Sequence, residues 1–71
     1  MQHALRIAGE ARARGDFATA MKWYREPAEI GDPVAQFQVG WMYDNGKGVP
    51  QDYRTAMIWY RKSADQNYTL A

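Results

Sequence analysis

Residues Asp16 to Ala35 read DFATAMKWYREPAEIGDPVA, and Asp52 to Ala71 read DYRTAMIWYRKSADQNYTLA. Set against each other at an offset of 36, nine of twenty positions are identical: Asp16/Asp52, Thr19/Thr55, Ala20/Ala56, Met21/Met57, Trp23/Trp59, Tyr24/Tyr60, Arg25/Arg61, Ala28/Ala64 and Ala35/Ala71. Phe17/Tyr53, Glu29/Asp65 and Val34/Leu70 are conservative pairs. Two tryptophans matched in one register mark a tandem repeat. Units of this length cannot bury their apolar faces alone and stack on one another.

A second similarity runs at an offset of 32, where Leu5, Ile7, Ala8 and Ala11 fall on Phe37, Val39, Gly40 and Tyr43. The two offsets differ by four, so each unit is two helices, with four extra residues in the second unit's turn. Those residues lie within Asn45-Gly46-Lys47-Gly48-Val49-Pro50-Gln51, whereas the first unit turns tightly around Arg14-Gly15.

Local chemistry predicts the boundaries. Helix one runs from about Gln2 to Arg14, burying Ala4, Leu5, Ile7, Ala8 and Ala11. Gly15 supplies a left-handed stop and Asp16 caps helix two, which ends near Ile30 at Gly31. Asp32-Pro33 starts helix three as cap and first-turn proline, and that helix reaches about Asp44. Asp52 caps helix four, which runs to about Gln66, with Asn67 as the left-handed residue. A further helix starts at 68–71, the counterpart of Asp32–Ala35. The fold class is therefore all-α, in two antiparallel hairpins over about 2–30 and 32–66 of one 71-residue domain.

Small residues set the packing. Ala20, Ala28, Ala56 and Ala64 share one stripe, and Ala8 and Gly40 face them, which brings backbones toward the lower end of ~8–10 Å. Tyr24, Tyr43 and Tyr60 fill the wider gaps, and Trp23 and Trp59 pack between helices. Pro27, the mate of Ser63, forfeits a helix bond to Trp23 at a cost of ~3 kcal/mol. A kink near Trp23 and a higher melting temperature for Pro27→Ala are expected.

The second unit resembles the Sel1-like repeats, a branch of the tetratricopeptide-like α-solenoids. The resemblance rests on Ala35, Val39-Gly40, Trp41 and Tyr43, Gly46-Lys47-Gly48-Val49-Pro50-Gln51-Asp52-Tyr53, Ala56, Trp59-Tyr60-Arg61-Lys62 and Ala64. The first unit departs from the pattern: Gly15-Asp16-Phe17 and Ala20 lack the glycine-valine loop and resemble a plain tetratricopeptide unit, although Trp23-Tyr24 keeps the Sel1-like half. The resemblance implies a right-handed superhelix fragment that serves as an adaptor or scaffold for proteins.

Nothing in the inventory equips the chain for chemistry. It holds no cysteine, one histidine (His3) and one serine (Ser63) at opposite ends, which argues against a catalytic pair, a metal site, a cofactor and an enzyme. Gly46-Lys47-Gly48 follows no strand and opens no Gly-Lys-Ser/Thr helix, so it is not a phosphate loop. Glu26 and Glu29 sit one turn from Lys22 and Arg25 and read as surface pairs. Arg12 and Arg14 complement the end of helix one. A net charge of +1 gives no reason to expect nucleic acid, and no apolar run approaches a membrane span. No signal peptide precedes helix one, which points to the cytoplasm if Met1 is the native start.

A partner-binding surface is expected instead. Trp41 has no tryptophan mate, since Gly9 stands at its counterpart. Phe37, Trp41 and Asp44 form one stripe of helix three, and Leu5, Gly9 and Arg12 the equivalent stripe of helix one. In solenoids of this resemblance that stripe lines the concave surface where peptides dock. Leu5, Phe37 and Trp41 are then apolar anchors, with Arg12 and Asp44 as polar rim. Trp41 has an alternative role, covering the seam between hairpins. The competing function is self-association into a homo-oligomer through terminal faces, with helix four exposing Met57, Tyr60, Ala64 and Leu70.

Overall fold

The computed structural model describes residues 2–66. It contains α1 (Gln2–Ala13), α2 (Phe17–Glu29), α3 (Pro33–Asn45) and α4 (Tyr53–Ala64), with no strand among the described residues. Successive helices pack on one another, α1 on α2, α2 on α3 and α3 on α4. The chain is an all-α solenoid fragment of two hairpins. The expected left-handed Asn67 and the helix start at 68–71 lie outside the described residues.

Each predicted cap is present. Asp16 accepts from Thr19 N at 3.3 Å, Asp32 from Ala35 N at 3.0 Å, and Asp52 from Arg54 N and Thr55 N at 3.1 and 3.2 Å. These bonds satisfy amides that a helix start leaves without partners. Three helices also end alike. Asp16 N donates to Ala11 O, Asp32 N to Pro27 O and Lys47 N to Met42 O, at 2.8–2.9 Å. In each case the preceding glycine (Gly15, Gly31 or Gly46) has positive φ, the conformation of a left-handed helix stop.

The core is built from small residues, as the stripe implied. Ala8, Ala11, Ala20 and Ala35 are fully buried, together with Met42. Gly40 stands so close to α4 that a Cβ would lie 3.2 Å from Ala56 O. Ala64 departs from the expected stripe and is exposed. Trp23 and Trp59 are both half-buried against the core.

Polar bonds tie α3 to the helices on both sides of it. Buried Gln36 donates through Nε2 to Ala28 O at 3.1 Å, and its Oε1 accepts from Gln66 Nε2 at 2.8 Å. Ser63 donates to Pro33 O at 2.8 Å. A single α3 glutamine thus links the ends of α2 and α4. At the position equivalent to Ser63, Pro27 is also fully buried, and α2 continues through it to Glu29. One repeat fills this slot with a hydrogen-bonded hydroxyl and the other with an apolar ring.

Candidate functional site

Phe37, Trp41 and Asp44 lie on α3 with different neighbours. Phe37 packs on the Tyr60 ring, with centroids 5.5 Å apart. Asp44 Oδ2 accepts from the Tyr60 hydroxyl at 3.2 Å. Both therefore sit on the shoulder of α3 that faces α4. Burial, and then the bond to Asp44, push the Tyr60 phenol up to about 12.

Trp41 points the other way. Its ring meets Phe17 at the start of α2, with centroids 6.1 Å apart. The indole covers the seam between hairpins and remains half-buried. Along this side of α3, Gln38, half-buried, lies one turn away and Val34, 39% exposed, two turns away. On α1, Leu5 is half-buried against the core and Arg12 is exposed. The five expected residues therefore divide between a shoulder gripped by α4, a seam over α2, and the surface of α1. Leu5 and Phe37 both contribute to packing, and Arg12 has its side chain in solvent.

The surface ion pairs differ from expectation. Among the described residues the pair within 4 Å is Arg6–Glu10 at 3.3 Å, not the pairs expected at Glu26 and Glu29. Both of those carboxylates are exposed, where a pair gains little over hydration.

The loop after α3 brings a contact that the sequence reading missed. Gly48, with φ of 77°, lies against the first turn of α2, and a Cβ there would stand 2.6 Å from Phe17 O. Lys47 places Nζ 5.5 Å from the Phe17 centroid. Phe17 is thus held by Trp41 on one side and Lys47 on another. The repeat alignment could have raised this contact, because Phe17 and Tyr53 are mates and only Phe17 has a glycine loop following it in the next unit.

A second feature is the outward face of α4. Tyr53, Met57 and Ile58 are 64%, 60% and 51% exposed. Together with Arg54, Arg61, Lys62 and Asp65 they line a shallow groove. The face differs from the one expected. Met57 and Ala64 are exposed as anticipated, whereas Tyr60 is half-buried against α3 and Leu70 lies outside the described residues.

Among the described residues no group of three or more His, Asp or Glu is arranged to hold a metal. No described helix is long and apolar enough to cross a membrane.

Two stacked hairpins with Trp-Tyr-Arg at matched sites and a Gly-Lys-Gly-Val turn define the architecture, and the Sel1 repeat model matches residues 8–32 and 33–68. The chain belongs to the Sel1 repeat family. Both hairpins are included, so the first unit is a Sel1 repeat despite its short turn. No curated protein and no solved structure matches the chain. Sel1 repeats are in general protein–protein interaction modules and typically non-catalytic.

Proposed function

We propose that this chain is a non-catalytic adaptor that holds a peptide or partner protein on the side of α1 and α3 turned away from their hairpin mates. The observation that carries the reading is Trp41. A large aromatic without a tryptophan mate stays half-buried between hairpins, its ring against Phe17. Tryptophans that are partly packed and partly open are frequent interface anchors, because their position is fixed before a partner arrives. Leu5 and Arg12 extend the surface onto α1. Phe37 and Asp44 support it from the shoulder, where Tyr60 holds them in place. The partner is a protein, with no role for nucleic acid, membrane or cofactor.

Self-association through end faces is the competing reading, supported by exposed Met57 and Ala64 on α4; light scattering over a range of concentrations separates the two, a stable dimer favouring assembly and a monomer the adaptor. The test of the groove is selection of displayed peptides on the wild-type chain, followed by titration of the selected peptides against Trp41→Ala. Weakening by at least about tenfold, with helicity unchanged, is expected for loss of an anchor. Selected peptides that bind Trp41→Ala as well as wild type would remove the groove.

A further inference from the structure

Tyr24 and Tyr60 are repeat mates whose hydroxyls meet different surroundings. In the second hairpin the Tyr60 hydroxyl donates to Asp44 Oδ2 at 3.2 Å. At the offset of 32 the counterpart of Asp44 is Arg12, whose side chain can only donate. Tyr24 is 4% exposed, and its hydroxyl has no partner among the described residues. Every sealed side-chain nitrogen or oxygen among those residues is hydrogen-bonded, so the Tyr24 oxygen is not sealed. An otherwise buried ring brings its one polar atom to the surface. Each tyrosine is compared with a residue of its own hairpin, so the difference does not depend on what precedes α1 or follows α4.

Gly9 opens the way to that atom. Trp41 holds the corresponding place on α3, whereas on α1 the place has no side chain. A Cβ built on Gly9 would stand 3.9 Å from Tyr24 Oη and would meet nothing closer outside its own stretch of helix. The hydroxyl therefore lies at the floor of a notch in the stripe formed by Leu5, Gly9 and Arg12. Arg12, exposed, stands one turn along the same stripe. Among the described residues it has no carboxylate within 4 Å, and Glu10 on the same helix is paired with Arg6 at 3.3 Å. A donor at the floor and a free guanidinium at the lip suit a carboxylate.

We infer that Tyr24 and Arg12 receive an aspartate or glutamate side chain of the bound partner, seated over Gly9. The Tyr24 hydroxyl donates to one carboxylate oxygen and the Arg12 guanidinium pairs with the other. The partner thereby supplies in the first hairpin the acceptor that Asp44 supplies in the second. The inference rests on the proposed partner surface and gives its occupant a chemical class: an acidic segment whose carboxylate falls on α1 while an apolar side chain meets Trp41. Charge-assisted bonds of this kind fix the register and orientation of the segment.

The experiment uses the full chain and synthetic copies of peptides selected on it from a displayed library, with binding read by anisotropy of the labelled peptide. The selected peptides should share one Asp or Glu, and its replacement by Asn or Gln should weaken binding to wild type at least about tenfold. On the double variant Tyr24→Phe/Arg12→Gln the same replacement should change affinity by less than about twofold, because the partners of the carboxylate are gone. Tyr24→Phe alone should leave the unfolding midpoint unchanged, since the fold gives that hydroxyl no acceptor. Gly9→Leu fills the notch while keeping both groups, and should abolish the preference for the acidic peptide. Selected peptides without a shared carboxylate would overturn the inference. So would a replacement that weakens binding equally to wild type, the double variant and Gly9→Leu, or a selection that retains no peptide. Peptides whose carboxylate couples to Tyr24 and Arg12 but which bind Trp41→Ala as tightly as wild type would keep the notch and remove the Trp41 groove. Peptides that need Trp41 but carry no shared carboxylate would do the reverse, so the two readings fail separately.

Discussion

The Tyr60 hydroxyl donates to Asp44 Oδ2 at 3.2 Å, from the middle of α4 to the last turn of α3. The same ring lies against Gly40, and its Cδ1 would stand 2.9 Å from an added Cβ. One tyrosine therefore sets both the separation and the register of the second hairpin.

Burial and Asp44 hold the Tyr60 phenol neutral up to about 12, above the ordinary 10.0. A raised pKa means that this contribution to stability is complete below pH 10 and is lost as pH rises toward 12. Absorbance of tyrosinate against pH should show one late-titrating tyrosine. Asp44→Asn should bring that step down without restoring the ordinary value, because burial is the larger cause. Tyr60→Phe should remove it. A late step that survives Tyr60→Phe would reassign it.

Gly40→Ala tests the close approach of α3 and α4. Alanine gains about 1 kcal/mol in helix propensity over glycine. Against that, its Cβ would lie 2.9 Å from the Tyr60 ring and 3.2 Å from the Ala56 carbonyl, and overpacking of this kind costs ~1–3 kcal/mol. A net loss of roughly 1 kcal/mol is expected in urea unfolding. A gain in stability would show that the helices separate freely.

The caps give an acid dependence. Bonds from the Thr55 side chain and amide hold the Asp52 carboxyl below its usual value of 3.8, with Arg54 adding to the effect. Asp16 is lowered in the same way by Thr19. A lowered pKa stabilises the fold above the unfolded value, and the stabilisation is lost as pH falls below it. Asparagine caps nearly as well but does not titrate. Asp16→Asn/Asp52→Asn should therefore flatten the decline of melting temperature below about pH 4 while changing it little at pH 7. An acid decline as steep as that of wild type would mean that other carboxyls carry it.

Pro27→Ala sets backbone against packing. Alanine restores a helix bond worth up to ~3 kcal/mol in a helix interior, but removes two buried methylenes at ~0.8 kcal/mol each. The ring is fully buried, so the rise in melting temperature expected from helix strain alone is reduced to a small one. A fall on thermal denaturation would show that the ring's packing outweighs the missing bond.

What the sequence made legible was local or periodic. Asp16, Asp32 and Asp52 act on amides within three residues, and the glycine stops act within one turn, so their chemistry does not depend on distant partners. The tandem tryptophans revealed the repeat because equivalent sites in stacked units meet equivalent surroundings. The stripe through Phe37, Trp41 and Asp44 was legible as a helix face, but its division between α4 and α2 was not. Side chains three and four residues apart share one helix face, and only the positions of the two flanking helices decide which neighbour each one meets. The contact of Gly48 with Phe17 spans the whole of α2 and α3 and leaves no mark in either segment alone. The open face of α4 was partly legible, since Met57 lacked a cover. Tyr60 was misassigned to that face because its contacts with Asp44 and Phe37 depend on how closely the hairpin closes.

Gly48 rests on the backbone of Phe17 and Ala18, so a turn in one unit is wedged under the first turn of the unit before it. Lengthening that turn, or giving residue 48 a side chain, would lever the second hairpin about α2. The bend between consecutive units is thus governed by a loop as well as by helix faces. In a longer stack, variation confined to such loops would tune curvature while every core contact stayed the same.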